Sequence, residues 1–221
     1  MATKTALRPP LLGSIDIQGN AASIVLPAMA AAKIDAVKKL NSADGVEKWV
    51  QIGLSRLMRD ELPNIKVTND LRWQRAAAGH TVAYLRVQLT DAKAIRVGLN
   101  VLHAPKGLEL RFIGSNQPTK ALASANATEL TALKDENGIY WTPITDGEYQ
   151  LIEFSLPPNA KRDALKFAVD SVSHIFATSS KKFADAKVGG MFGGGCGVDV
   201  ICAPQALGFT NAKNAVAQLI F

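Results

Sequence analysis

The chain has 221 residues, of which 48% are hydrophobic and 20% charged, and its net charge is +6. This length and apolar content are enough for one substantial core or two small ones. The positive charge is mild, no run of Lys/Arg is interleaved with aromatic residues, and no segment approaches the roughly 20 apolar residues of a membrane span, so neither a nucleic-acid partner nor a membrane partner is predicted.

The first twenty residues have no regular period and contain Pro9-Pro10, so residues 1–20 are expected to form an extended arm. They start with a polar stretch rather than the apolar region of a signal peptide, so the chain is expected to be cytosolic or to have lost its signal. Ser23–Pro27 is a short extended piece, and Pro27 opens a predicted helix over Ala28–Leu40, which is rich in Ala, Lys and Leu and carries its apolar residues along one side.

After the helix the pattern is that of β-strands. Val46–Met58 fits either a strand or a helix, and Gly53 favours the strand. Alternation and turn signals predict the strands Thr81–Leu89, Ala94–Leu102, Leu108–Ile113, Ile139–Thr142, Gln150–Leu156 and Leu165–Phe176. Residues 115–137 form a polar, alanine-rich connection with room for a helical turn. Because there are many short strands and no βαβ rhythm, residues 21–178 are predicted to form a mainly β domain, an antiparallel β-sandwich of jelly-roll-like type with an N-terminal helix.

A Gly/Lys-rich linker is predicted over residues 179–195. Five glycines between positions 189 and 195 make this stretch flexible, and exposed flexible segments are where proteases cut. Lys181, Lys182 and Lys187 are basic residues at which a protease that recognises lysine could cut. The bond between Lys187 and Val188 is the candidate processing site, and a plain linker with a solvated lysine is the alternative.

The two cysteines, Cys196 and Cys202, follow this linker and enclose a β-branched segment that is expected to be extended. Six residues of strand separate them by roughly 20 Å, whereas a disulfide needs Cα atoms about 5.5 Å apart. If the segment is extended, they do not bond to each other, and each either has a partner outside the chain or remains a buried thiol. The spacing is not C-x-x-C and the histidines are scattered, so no metal is predicted, and no cofactor is expected.

No residue is predicted to be catalytic. His174 lies near the end of a strand with Asp170 four residues earlier on the expected same face, and it is interpreted as a buried histidine satisfied by a neighbour; His80 and His103 are interpreted in the same way. Three aromatic residues could mark a sugar-binding face: Trp73, Tyr140 and Trp141. Adjacent strand residues point to opposite faces, so core packing is the favoured interpretation of these aromatics.

The order of several short motifs resembles a known family. The motifs are Trp73, Tyr84-Leu-Arg-Val, Ala94-Ile-Arg-Val-Gly-Leu, Ala104-Pro-Lys-Gly-Leu-Glu-Leu, Tyr140-Trp-Thr-Pro, Asp146-Gly, Ile152-Glu, Leu156-Pro, Val172-Ser-His and Cys196-Gly-Val-Asp-Val-Ile-Cys202. Over about residues 45–221 they resemble the N-terminal pro-region of secreted bacterial trypsin-like serine proteases of the lysyl endopeptidase type. The last motif resembles the opening of the mature protease, so residues 196–221 are expected to be the truncated start of a trypsin-like β-barrel domain.

The resemblance implies a role. The family's Thr-Ala-x-His-Cys and Gly-x-Ser-Gly-Gly segments are missing from the sequence, so the chain is expected to be a non-catalytic part of a secreted protease precursor. It implies that the sandwich assists folding of its partner, the cognate protease domain, and inhibits it until the linker is cut. It also implies that Cys196 and Cys202 form disulfides with that domain. The alternatives are a stand-alone β-sandwich binding module, for carbohydrate or adhesion, and a decayed relative that kept the pro-domain alone. The sequence does not indicate an oligomeric state.

Overall fold

The computed structural model describes residues 21–42, 51–62 and 71–176. In chain order the strands are β1 (Ala22–Leu26), β2 (Gly53–Leu57), β3 (Gln74–Arg75), β4 (Thr81–Leu89), β5 (Ala94–His103), β6 (Glu109–Gly114), β7 (Ala123–Asn126), β8 (Ile139–Trp141), β9 (Thr145–Asp146), β10 (Tyr149–Leu156) and β11 (Lys166–Ile175). The α-helices are α1 (Ala31–Ser42), α2 (Met58–Glu61) and α3 (Ala127–Ala132). In these three ranges, no helix has the length and apolar character needed to span a membrane.

The strands form two sheets. Sheet A has the order β1-β4-β10-β6-β7, with β3 paired to the first residues of β4, and sheet B has the order β2-β11-β5-β8, with β9 paired to β5. Among the described strands, consecutive ones belong to different sheets at seven places: β1/β2, β2/β3, β4/β5, β5/β6, β7/β8, β9/β10 and β10/β11. All these pairings are antiparallel except that of β1 with β4, which is parallel.

The two sheets pack face to face and share one apolar core. Alternation turns every second residue inward, so Phe154 of sheet A stacks on Phe167 of sheet B with ring centroids 4.8 Å apart. Phe112 of sheet A stacks on Tyr140 of sheet B at 6.2 Å. The continuous core they belong to draws on nearly every long strand of both sheets, and this confirms the predicted mainly β sandwich with a helix near its N-terminus.

The predicted elements differ from the observed ones mainly at the ends and in one connection. Helix α1 begins at Ala31 rather than Ala28, and the ambiguous Val46–Met58 segment holds strand β2 followed by the single turn α2. The 115–137 connection contains strand β7 as well as the helical turn α3. The strand was missed because its alanines favour helices, whereas the free edge of β6 pairs with it. The linker 179–195 and the segment 196–221 lie outside the described residues.

Candidate functional site

The predicted processing and cysteine sites cannot be placed in the structure. Lys187, Val188, Cys196 and Cys202 all lie outside the described residues, and they therefore stay predictions. What the structure does place is the domain that precedes them, with a row of charged and polar groups across sheet A and a buried arginine where β1, β2 and α2 meet.

A row of polar side chains crosses the outer face of sheet A. The strand register puts Tyr84 of β4 directly opposite Glu153 of β10, and Glu153 directly opposite Arg111 of β6. The Tyr84 hydroxyl donates to Glu153 Oε2 at 2.9 Å, and Arg111 Nη1 donates to Glu153 Oε1 at 3.0 Å. Arg111 also donates from Nε and Nη2 to the Glu109 carboxylate, at 3.1 and 3.3 Å. The row is a charge-assisted network in which the Tyr84 hydroxyl and the Arg111 guanidinium both donate to carboxylates.

This row is dry. The side chains of Glu153 and Arg111 are 0% and 7% exposed, and Tyr84 is fully buried. Burial, reinforced by the Glu153 carboxylate, raises the pKa of the Tyr84 phenol above its usual range, so Tyr84 is a hydrogen-bond donor at every physiological pH. A satisfied, buried network of this kind rigidifies and orients the strands that carry it, and it offers no free nucleophile.

Arg56 of β2 forms a second buried junction. Its Nη1 donates to the carbonyl oxygen of Pro27 at 2.6 Å, while Nε and Nη2 each donate to the Glu61 carboxylate at 2.8 Å. The hydrogen bonds from Arg56 lower the pKa of Glu61 despite the opposing effect of burial. A guanidinium is suited to this bidentate geometry, and the result is that the segment after β1 is tied to β2 and α2.

Residues 25–176 match the family model described as the lysyl endopeptidase N-terminal domain. The chain belongs to this family. It is also 28% identical over 208 residues to the lysyl endopeptidase of Pseudomonas aeruginosa, an alignment that covers 91% of this chain and 42% of that relative. The chain therefore spans less than half the length of the curated relative that it matches.

Among solved structures, a chain titled "CBM4 structure and function" shares 9% identity and a TM-score of 0.20, covering 57% of this chain and 84% of that one. That likeness is too weak to carry an argument about fold or function. The family assignment rests on the sequence matches instead.

The histidines of this lysyl endopeptidase N-terminal domain do not assemble a catalytic site within the described residues. His80 Nδ1 lies 3.2 Å from Ser155 Oγ, and His103 Nδ1 donates to the Ala164 carbonyl oxygen at 2.7 Å. The described part of the chain contains no group of three or more His, Cys, Asp and Glu residues placed to hold a metal ion. The three histidines belong to different segments, and each is accounted for by its own local contacts or burial.

His174 of β11 is buried, as predicted, but the expected neighbour does not satisfy it. Neither ring nitrogen has a hydrogen-bond partner, and Asp170 is exposed because a β-bulge between Val169 and Ser171 shifts the register. The expectation that Asp170 and His174 share a face is therefore wrong: an extra residue in the strand reverses the alternation beyond it. Burial lowers the pKa of His174, the Arg56 cation lowers it further, and Asp91 opposes both.

Because of His174, the free energy of unfolding is expected to fall as the pH drops below about 6.5, the usual pKa of a histidine. Because the pKa of His174 is lower in the folded chain than in the unfolded one, the unfolded state binds more protons in this range, and acid favours unfolding by at most about 1.4 kcal/mol per pH unit. The groups facing the ring are Arg56, Asp91 and the Phe176 ring at 5.6 Å. Urea unfolding between pH 7 and pH 5 measures the slope.

A matched pair of variants tests whether His174 causes the dependence of the free energy of unfolding on pH. His174→Leu should remove the contribution of this residue, since leucine suits an apolar site and does not titrate, whereas His103→Gln alters an exposed histidine and should leave the slope in place. An unchanged slope in His174→Leu contradicts the assignment.

The aromatic residues do not form a shared platform. Tyr140 is buried in the core against Phe112, and Trp73 is partly buried against the same core. Trp141 lies on the opposite face of β8, where its Nε1 donates to Asp135 and the Arg96 guanidinium lies 5.2 Å from its ring. The prediction that Tyr140 and Trp141 point to opposite faces is confirmed. Trp73, Tyr140 and Trp141 therefore do not form the shared aromatic surface that the sugar-binding interpretation requires.

Sequence reasoning missed both buried networks of the lysyl endopeptidase N-terminal domain. A signal for the first network is present in the sequence: Glu153 is the one charged residue of β10, and Arg111 lies between the apolar residues Leu110 and Phe112. Charged residues are rarely fully buried unless they are paired. The register that pairs them was not readable, because it depends on which strands become neighbours.

Proposed function

We propose that the described domain is the non-catalytic pro-domain of a secreted lysyl endopeptidase-like serine protease. It assists the folding of the cognate protease domain, inhibits it, and is released by cleavage between Lys187 and Val188. The observation that carries this proposal is the match of residues 25–176 to a family defined by its N-terminal position in lysyl endopeptidases. The share of the relative that the chain covers, 42%, agrees with a domain that precedes a larger catalytic part.

The domain has the physical properties that such a role requires. One continuous core joins both sheets, so residues 21–176 can form a folded unit without a second domain. A trypsin-like β-barrel is rich in non-local pairings, which fold slowly, and a ligand that binds only the folded state stabilises it. A folded domain joined to the protease by a short flexible linker acts at an effective concentration of about millimolar.

Inhibition in trans tests this function. Because the tether supplies about 1 mM effective concentration, even a Kd of about 10 μM keeps the attached protease about 99% occupied. Residues 1–178, produced separately, are therefore expected to inhibit the mature cognate protease in the micromolar range, measured with a small lysyl substrate. Absence of inhibition at high-micromolar concentration contradicts the proposal.

Two controls separate inhibition from competition by a cleavable substrate. Mass spectrometry after the assay should find the added domain intact, since an inhibitor that is consumed loses its effect with time. The Glu153→Ala variant, which breaks the buried row of sheet A, should inhibit less in proportion to its unfolded fraction. An inhibitory effect that needs no folded domain counts against the proposed mechanism.

A further inference from the structure

The guanidinium of Arg86, on β4, is half-buried and has no acceptor within the described residues. The arginines of these ranges that are buried or half-buried are Arg56, Arg86, Arg96 and Arg111. Arg56 and Arg111 each donate to a carboxylate, and Arg96 Nε donates to a backbone carbonyl oxygen at 3.1 Å. Arg86 takes part in none of the ion pairs found there, and its Nε is buried without a hydrogen-bond partner. Because a buried donor without an acceptor destabilises a folded chain, this guanidinium lacks an acceptor that the described domain does not supply.

Arg86 lies on the outer face of sheet A, next to the edge strand β1. Strand β1 buries every second residue, so its exposed residues Ser23 and Val25 point outward. The parallel register places Ser23 opposite Arg86 and Val25, which is 55% exposed, opposite Gln88. On the side of β10, the Arg86 guanidinium lies over the Tyr149 ring, 4.2 Å from its centroid. These five residues form a surface, here called the Arg86 patch, that has one cation and no carboxylate.

The Arg86 patch has the chemistry of a carboxylate-binding contact. A guanidinium is planar and presents its donors in a fork that matches a carboxylate. Stacking on Tyr149 holds the Arg86 side chain in place, so little side-chain freedom is lost when a partner binds. The exposed Val25 adds apolar area beside the charge, and arginine and tyrosine are enriched among the residues that dominate the binding energy of protein interfaces. We propose that the Arg86 patch binds an aspartate or glutamate side chain of the cognate protease domain.

The cognate protease suits this patch better than a free acidic partner or a second copy of the chain. The chain covers 42% of its curated relative, and under the proposed function, on which this inference rests, the protease belongs to the same precursor. One charge-assisted contact changes an affinity by about 10- to 100-fold, which is too little to capture a free partner but enough for one tethered at an effective concentration of about millimolar. A symmetric contact between two copies through this patch would bring two Arg86 cations together.

The Arg86→Met variant separates binding from folding. Methionine is a long, flexible side chain that still packs against an aromatic ring, but it has neither charge nor donors. The 221-residue chain and its variants are titrated by calorimetry into the mature cognate protease, with its nucleophilic serine replaced by alanine to prevent cleavage. We expect Arg86→Met to bind about 10- to 100-fold more weakly than the parent chain, with an affinity that depends less on salt. Its urea midpoint should equal or exceed that of the parent, because the lost donors had no acceptor.

Arg59→Met is the charge-matched control, because the Arg59 side chain on α2 is 80% exposed, and it should bind as the parent chain does. Equal affinities of the parent and Arg86→Met overturn this inference and leave the proposed function standing, whereas a parent chain that does not bind the protease overturns both. A lower urea midpoint for Arg86→Met, with binding lost in proportion to the unfolded fraction, assigns Arg86 a structural role. A parent dimer that Arg86→Met abolishes assigns the patch to a second copy, and each of these last two results also overturns the inference.

Discussion

Replacing Glu153 by alanine is expected to lower the free energy of unfolding by about 3–5 kcal/mol. Glu153 is fully buried and accepts one hydrogen bond from Tyr84 and one from Arg111. Its removal leaves a phenol and a guanidinium without those acceptors in a dry site, and breaking a buried ion pair by deleting one partner is far more costly than never forming it. Urea denaturation of the parent chain and the variant measures the loss.

Two further variants show whether the loss comes from the donors that lose Glu153 as their acceptor. Glu109→Gln alters the other carboxylate on Arg111, which is 35% exposed, and it should cost about 1 kcal/mol or less because water replaces the lost bond. Adding Arg111→Met and Tyr84→Phe to a Glu153→Met chain should recover most of the stability, since apolar replacement of a whole buried network is often neutral. A cost of Glu153→Ala no larger than that of Glu109→Gln contradicts this account.

Lys187→Gln is expected to slow cleavage between residues 187 and 188 by roughly 10⁴-fold, because a pocket built to pair with a charged group rejects an analogue that lacks it. This prediction rests on the proposed function. It is measured on the complete precursor by N-terminal sequencing and by the time course of mature protease formation. The parent chain should yield a mature N-terminus at Val188.

Lys182→Gln is the matched control for the same linker. It removes an equal charge from the neighbouring lysine doublet and should leave the rate and the Val188 terminus unchanged. A mature chain that starts at any residue other than Val188, or normal maturation of the Lys187→Gln precursor, assigns the processing site elsewhere. Either result would leave the inhibition experiment with the separate domain unaffected, so the two predictions fail independently.

Several strands could be predicted from the sequence with little error. Thr81–Leu89 was predicted at the bounds that β4 has, and the strand predicted at Gln150–Leu156 begins at Tyr149 in the structure. These segments carry β-branched and aromatic residues between turn signals, so local preference and tertiary pairing agree. For helix α3 the sequence analysis predicted only room for a helical turn, although Asn126 and Glu129, which form a capping box, are a helix-start signal present in the sequence.

Other features depended on contacts between distant residues. The parallel pairing of β1 with β4 has no local signal, because helices α1 and α2 and strands β2 and β3 lie between these two strands in the chain. The alanines of β7 favour a helix, but this segment forms a strand because it pairs with β6 at the edge of sheet A. The bulge beside Asp170 reversed the expected facing of His174, since one extra residue changes the alternation of everything after it.

The amino-acid sequence determined the class of this domain: short alternating strands with regular turns give a β-sandwich, and the order of its motifs indicates the lysyl endopeptidase family. The tertiary structure decided which charged residues meet. Glu153, Arg111 and Tyr84 lie on three strands that become neighbours only when sheet A assembles. The physical reason is that the alternation of side chains along a strand repeats every two residues and can be read from neighbouring residues alone. Register and strand order, in contrast, are set by burial of the core that distant strands share.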